Sequence, residues 1–133
     1  MERLTFDTEA VLAFYFGEEG SKVVGEIFDG VRKREVEGFI SVVNLSEVYY
    51  ILCRLNPGLA EQKLQNLRLF GLKFIAVEDD GLWVEAAKIK SGHSLSLADA
   101  YAVATAKVLK TKLVVGSDDE FRGLGIPLLK IRD

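Results

Sequence analysis

Short apolar runs alternate along the chain with longer stretches in which apolar residues recur every three or four positions. The runs are rich in β-branched and aromatic residues and predict five strands, at residues 4–6, 39–43, 74–77, 113–115 and 128–131. The periodic stretches predict amphipathic helices near residues 11–15, 23–34, 44–55, 59–70, 80–90 and 97–110. Glycines and the sequence Asn56-Pro57-Gly58 mark several of the helix ends.

This alternation favours an α/β fold with a parallel sheet covered by helices on both faces, because the strand interiors are almost continuously apolar. If the strand order is 3-2-1-4-5, strands one and four flank the crevice where the order reverses, which is where such sheets bind ligands. A length of 133 residues without an internal repeat or linker predicts one domain spanning residues 1–133.

The helix predicted from Leu97 begins with an acid and continues with small residues. Ser96 followed by Asp99 is typical of a helix N-terminus of the capping-box kind, so Asp99 has a structural role available as a cap. Alanines stand at every second position from 98 to 106. A helix with this composition can lie close to its neighbours and hold Asp99 in a fixed place.

Composition narrows the classes of function. The single Cys53 cannot form an internal disulfide, and we find neither a signal-peptide pattern nor an apolar run of roughly 18 residues, so we expect a soluble cytoplasmic protein. A net charge of −3 argues against nucleic-acid binding through bulk positive charge. It leaves open a nucleic-acid substrate approached through bound cations.

Acidic residues stand where predicted strands end. Asp7 follows strand one, Glu47 lies just after strand two and Asp118 follows strand four, while Asp99 begins the helix that leads into strand four. Four carboxylates in one crevice would repel one another, and a hard divalent cation would relieve that repulsion. Oxygen ligands without His or Cys favour Mg²⁺ or Mn²⁺, which suits phosphodiester hydrolysis.

Each acid also has a purely structural interpretation. Asp7 would cap the first helix, Glu47 would complete a capping box with Asn44, and Asp118 would be an ordinary turn residue. Their joint placement at one sheet edge favours a functional site. Thr8, Asn44 and Ser117 are candidates for supporting or substrate contacts, although capping explains them equally well.

Taken together and in order, four segments resemble the acidic motifs of PIN-domain ribonucleases, most closely the VapC-type toxins of VapBC toxin–antitoxin pairs. The segments are Asp7-Thr8, Asn44-Leu45-Ser46-Glu47-Val48, Ser96-Leu97-Ala98-Asp99-Ala100 and Ser117-Asp118-Asp119-Glu120-Phe121. The family commonly has a Thr two residues before the last Asp, and here Gly116 stands there. Asp119 therefore competes with Asp118 as the fourth acid.

The resemblance implies a three-layer α/β/α sandwich and a metal-dependent endoribonuclease that uses Mg²⁺ or Mn²⁺. It carries over Asp7, Glu47, Asp99 and Asp118 as the catalytic and metal-binding acids. It further implies an RNA substrate, an antitoxin protein that blocks the site, and a homodimer. Apolar helix residues that include Phe14, Tyr15, Tyr49 and Tyr50 also favour a homodimer.

Other functions fit the sequence less well. A haloacid-dehalogenase-like phosphoryl transferase would have a second Asp two residues after Asp7, where this chain has Glu9. A receiver-like domain would have paired acids after strand one, which Asp7-Thr8 does not supply. The main alternative is a PIN-like module that has kept its acids but binds RNA or protein without cleaving RNA.

Overall fold

The computed structural model describes residues 1–117 and 119–133, and its described residues form one sheet of five parallel strands. The strand order is β3-β2-β1-β4-β5, which confirms the predicted order. The strands are β1 (Glu2–Phe6), β2 (Val36–Ser41), β3 (Lys73–Ile75), β4 (Lys112–Val115) and β5 (Leu128–Lys130). Each predicted strand is present, and its ends lie within three residues of the predicted ones.

Helices cover both faces of this sheet and give the expected three-layer α/β/α sandwich. The helices in the described part of the chain are α1 (Thr8–Phe16), α2 (Ser21–Arg32), α3 (Val42–Leu55), α4 (Pro57–Phe70), α5 (Asp80–Gly92) and α6 (Leu97–Leu109). Helices α1, α2, α3 and α4 pack against one face of the sheet and share one core cluster with it. Helices α5 and α6 pack against the other face and share a second cluster. Successive residues of β4 alternate between the two: Val114 packs in the first cluster, and Leu113 and Val115 pack in the second.

The register of the sheet aligns the carboxyl ends of its central strands. Phe6 of β1 pairs with Val114 of β4, and the backbone N–H of Asp7 donates to the carbonyl oxygen of Val114 over 3.0 Å. Asp7 therefore lies beside the residues that follow β4. The sequence folds this way because parallel strands bring their ends to one edge.

The junction between β2 and α3 differs from the prediction. Residues 42 and 43 are valines and were predicted to end the strand, but they form the first turn of α3. The N-cap is Ser41, whose hydroxyl accepts from the backbone N–H of Asn44 over 3.1 Å. Asn44 is thus inside the helix, and the capping box predicted for Asn44 and Glu47 is wrong.

Helix α6 packs as closely as its alanines suggested. The side chains of Ala100, Ala102, Ala104 and Ala106 are fully buried, and α6 makes its most extensive helix contact with α5. The hydroxyl of Ser96 accepts from the backbone N–H of Asp99 over 3.0 Å, which confirms Ser96 as the N-cap. The small side chains let the backbone of α6 approach the sheet, and its first turn is fixed by the cap.

The aromatic residues expected on the surface are mostly packed inside the chain. The ring of Phe14 contacts Phe28 edge-on at 5.1 Å, and the Tyr15 hydroxyl donates to the side chain of Asn66 over 2.8 Å. Tyr50, by contrast, is 46% exposed. Three of the four aromatic residues that favoured a homodimer, Phe14, Tyr15 and Tyr49, therefore pack against the chain's own core.

Within the described residues, we find no helix with the length and apolar character that crossing a membrane requires.

Candidate functional site

Asp7 is the most deeply buried acid at the carboxyl edge of the sheet. Asp7 is only 1% exposed, and one of its carboxylate oxygens accepts a hydrogen bond from the backbone N–H of Ala10 over 2.8 Å. Burial raises the pKa of Asp7 to about 7, the bond from Ala10 opposes that rise, and the nearby carboxylates of Asp99 and Glu120 add to it. Asp7 caps α1, as its structural interpretation predicted, and it also faces the other acids.

Asp99 reaches the same place from the first turn of α6. Burial is the largest cause that raises its pKa, and hydrogen bonding with the carboxyl group of Glu120 also raises it. Hydrogen bonds from the side chain and backbone of Ser96 act in the opposite direction. Asp99 is therefore both a member of the cap and a member of a carboxylate cluster, so its two interpretations are compatible.

An open cleft of about 450 Å³ extends from these acids. Its described lining includes five carboxylate residues, which are Glu9, Glu18, Glu47, Asp99 and Glu120. Hydroxyl groups of Thr8 and Ser96 and the apolar side chains of Leu12, Phe16 and Ile51 complete it. Glu47 thus lines the same cleft as Asp99, as the sequence predicted. Such a surface attracts cations and repels phosphate unless positive charge is added.

Asn44 is fully buried and ties the acid-bearing elements together. Its side-chain amide donates to the hydroxyl of Thr8 over 3.1 Å and to the carbonyl oxygen of Ala98 over 3.0 Å. Its amide oxygen accepts from the hydroxyl of Ser41 over 2.6 Å. Because Thr8 follows Asp7 and Ala98 precedes Asp99, this side chain fixes the two acids relative to each other. Its supporting role is positional.

The residues after β4 belong to the fourth predicted acidic motif. Asp118 lies outside the described residues. Asp119 is exposed and one of its carboxylate oxygens lies 3.5 Å from a guanidinium nitrogen of Arg122, and Ser117 is half-buried. Glu120, which was not predicted as a site residue, lies close to Asp99 and Asp7 although it is exposed. The run of three acids at 118–120 was the available signal, but it does not tell how each of these side chains is directed.

The donors in the cleft are the kind that hard divalent cations prefer. The described lining offers carboxylate and hydroxyl oxygens, and neither His nor Cys is among these lining residues. Within residues 1–117 and 119–133, no group of three or more acidic, His or Cys side chains is close enough to form a metal cluster. The oxygen donors that line the cleft are of the chemical kind that Mg²⁺ or Mn²⁺ prefers. Asp7, Glu47 and Asp99 stay the predicted ligands, together with Asp118 outside the described residues.

Solved structures of the same architecture support this picture of the fold. A toxin–antitoxin complex from Klebsiella pneumoniae aligns with a TM-score of 0.74 and 17% identity, covering 98% of both chains. DNA-bound VapBC from Salmonella typhimurium aligns with a TM-score of 0.75 and 16% identity, covering 98% of this chain and 99% of that one. FitAcB from Neisseria gonorrhoeae aligns with a TM-score of 0.71 and 18% identity, covering 96% of this chain and 97% of that one. Because these sequence identities are low, the structural similarity establishes a shared fold only.

The family follows from the sequence itself. Residues 4–126 match the model of the PIN domain, so the chain belongs to the PIN-domain family. This confirms the resemblance predicted from the four acidic motifs. A search of curated proteins found no match.

Proposed function

We propose that this protein is a metal-dependent endoribonuclease and the toxin component of a toxin–antitoxin pair. The observation that carries the proposal is that the carboxylates of Asp99 and Glu120 lie close to the buried Asp7; burial raises the pKa of Asp7 to about 7, and the two neighbouring carboxylates add to that rise. Membership of the PIN-domain family supports a nuclease, and similar solved structures that are toxin–antitoxin complexes support the toxin role.

The chain's own residues would prepare the site for hydrolysis of an RNA phosphodiester. Asn44 sets the spacing of the two helix starts that carry Asp7 and Asp99, and Ser96 orients Asp99. Glu47 and Glu120 add negative charge at the cleft surface. A bound Mg²⁺ or Mn²⁺ would supply charge neutralisation and a water of lowered pKa. We further propose that the protein acts on RNA in the cytoplasm and forms a homodimer. Its antitoxin would be a protein that covers this cleft.

A conservative change of Asp99 separates catalysis from capping. Asp99→Asn keeps the side-chain shape but removes charge, so we expect RNA cleavage in Mn²⁺ or Mg²⁺ to fall by more than about 100-fold. This exceeds the range of about 10–100-fold that is typical of a group that only orients a ligand. The free energy of unfolding in urea should stay the same or rise, because a repelling acid has gone. Both measurements use the same preparation, and cleavage should also stop in EDTA.

Two outcomes would contradict the proposal. Cleavage by Asp99→Asn close to that of the parent would remove Asp99 from the site and leave it as a cap, with a stability change of no more than about 1 kcal/mol. Absence of metal-dependent cleavage by the parent would favour the alternative, a PIN-like module that binds RNA or protein without cleaving it.

A further inference from the structure

Glu9, Gly116 and Arg132 meet beside the acidic cleft, although they lie far apart in the sequence. Glu9 is in the first turn of α1 and lines the cleft. A guanidinium nitrogen of Arg132 forms an ion pair with its carboxylate. Gly116 follows β4 and is buried. The three residues come from the ends of β1, β4 and β5, which adjoin in the sheet.

Gly116 leaves the space that the Glu9 carboxylate occupies. A β-carbon added at Gly116 would lie 2.6 Å and 2.7 Å from the two carboxylate oxygens of Glu9, closer than real contacts allow. The backbone of Gly116 is not in the left-handed region, so the conformation itself does not require glycine. What glycine provides here is room for the carboxylate of Glu9.

Arg132 is held in place from its own side of the sheet. The neighbouring Ile131 is buried, and its backbone N–H donates to the carbonyl oxygen of Val115 over 3.0 Å. The side chain of Arg132 is 22% exposed. Its positive charge lowers the pKa of Asp7, so the guanidinium lies within electrostatic range of the acids as well as paired with Glu9.

We propose that Arg132 is a substrate-binding residue that contacts an RNA phosphate at the edge of the cleft, and that Glu9 is the positioning residue that holds it. This inference rests on the proposed function. The described lining of the cleft carries five acidic residues, which repel an approaching RNA phosphate. A positively charged side chain fixed beside the cleft would reduce that repulsion. A guanidinium has five N–H donors in a planar fork, so it can pair with a carboxylate and a phosphate at once.

The test measures RNA binding without cleavage. All variants carry Asp99→Asn and are kept in EDTA, and the affinity for a fluorescent single-stranded RNA is measured by anisotropy over a range of KCl concentrations. We expect Arg132→Ala to weaken binding about tenfold, as for a lost charge-assisted hydrogen bond. The slope of log K against log salt should become shallower by about 0.7, the value for one phosphate contact to a single strand. Arg132→Lys should keep the slope and recover part of the affinity.

Gly116→Ala tests whether Glu9 positions the arginine. This change keeps every charge but displaces the Glu9 carboxylate, so we expect a loss in the same direction as Arg132→Ala and smaller. In a Glu9→Ala background the added methyl group has no carboxylate to displace, and the same change should be silent. The matched control is Arg32→Ala, which removes an arginine paired with Asp29 at the opposite edge of the sheet and should leave the slope unchanged.

The failures of the two proposals can be told apart. If the Asp99→Asn protein binds RNA and Arg132→Ala changes only thermal stability, Arg132 is a counter-ion to Glu9 and this inference is wrong, while the proposed function stands. A Gly116→Ala effect that persists without Glu9 would refute the positioning role. If the Asp99→Asn protein does not bind RNA in EDTA while the parent cleaves RNA in Mn²⁺ or Mg²⁺, this inference is wrong and the proposed function stands. If the parent also fails to cleave RNA with either metal, the proposed function falls together with this inference.

Discussion

Two carboxylic acids on neighbouring strands occupy opposite environments at the two edges of the sheet. Glu37 lies near the start of β2, where Lys73 and Arg3 both pair with it and hold its pKa below the usual range. Asp7 follows β1 at the other edge, is almost fully buried and has acids as neighbours, so its pKa rises to about 7. At the first edge the carboxylate is paired with cationic side chains, as is usual on protein surfaces. The second keeps an arrangement that lowers stability, which is expected of functional sites.

The largest expected effect is on the stability cost of Asp7. Its pKa rises from 3.8 to about 7 on folding, so the folded protein binds more protons between these values and stability falls as pH rises through that window. Asp7→Asn removes this cost and keeps an oxygen that can accept from Ala10. We expect its free energy of unfolding in urea to exceed the parent's by up to about 4 kcal/mol at pH 8, and the gap to close toward pH 4.

A gap that does not change between pH 4 and pH 8 would show that Asp7 does not titrate as its environment indicates. The comparison between the two edges would then lose its main support.

A divalent cation should stabilise the carboxyl edge and leave the other edge unaffected. At a Mn²⁺ concentration 100 times the dissociation constant, the parent should gain about 2.7 kcal/mol in the free energy of unfolding. The double variant Asp7→Asn/Asp99→Asn should gain much less, and Glu37→Gln should gain as much as the parent. Thermal unfolding with and without Mn²⁺ measures all three, and equal gains in the double variant and the parent would place the cation elsewhere.

Asn44 shows how the carboxyl edge tolerates a buried polar group. Its side chain is satisfied by Ser41, Thr8 and Ala98, so Asn44→Ala leaves the carbonyl oxygen of Ala98 and the hydroxyls without this partner. We expect the free energy of unfolding to fall by about 1–3 kcal/mol. Cleavage should fall as well, because the two acids lose their common support. Full cleavage activity in a destabilised Asn44→Ala protein would refute that positional role.

The smallest effect is expected at the paired edge. Glu37→Gln removes an ion-pair partner whose side chain is 27% exposed, and we expect a small loss of stability that shrinks further at high salt. Urea unfolding at low and high ionic strength measures it. A larger, salt-independent loss would mean that Glu37 supports the fold in some way beyond its charge.

The strands and helices could be predicted because they depend on the spacing of apolar residues, which does not by itself determine the strand order. The start of α3 could not, since Val42 and Val43 favour a strand locally, and both Ser41 and Asn44 are good caps. Contacts of Asn44 with Thr8 and Ala98, which are remote in sequence, decide that choice. Tertiary context overrides local preference at such positions.

The candidate site was predictable to a similar degree. Asp7, Glu47 and Asp99 follow from strand ends and helix starts; in the structure Glu47 and Asp99 line one cleft, and Asp7 is buried close to Asp99. Glu120 did not follow, because the direction of a short turn has no periodic signal. The meeting of Glu9, Gly116 and Arg132 depends on the alignment of three strand ends and is not visible in any local pattern.

The alanine-lined face of α6 makes the acidic site vulnerable to changes made far from it. A larger side chain at Ala102, Ala104 or Ala106, which are all fully buried, has no space among the neighbouring elements and must shift the helix. Because Asp99 moves with its helix, such substitutions would damage the cleft from several turns away. In a saturation scan of the chain, intolerance should therefore extend around the buried middle turns of α6, at residues 100 and 102–106, while the exposed Lys107 and Val108 on the same helix accept most residues.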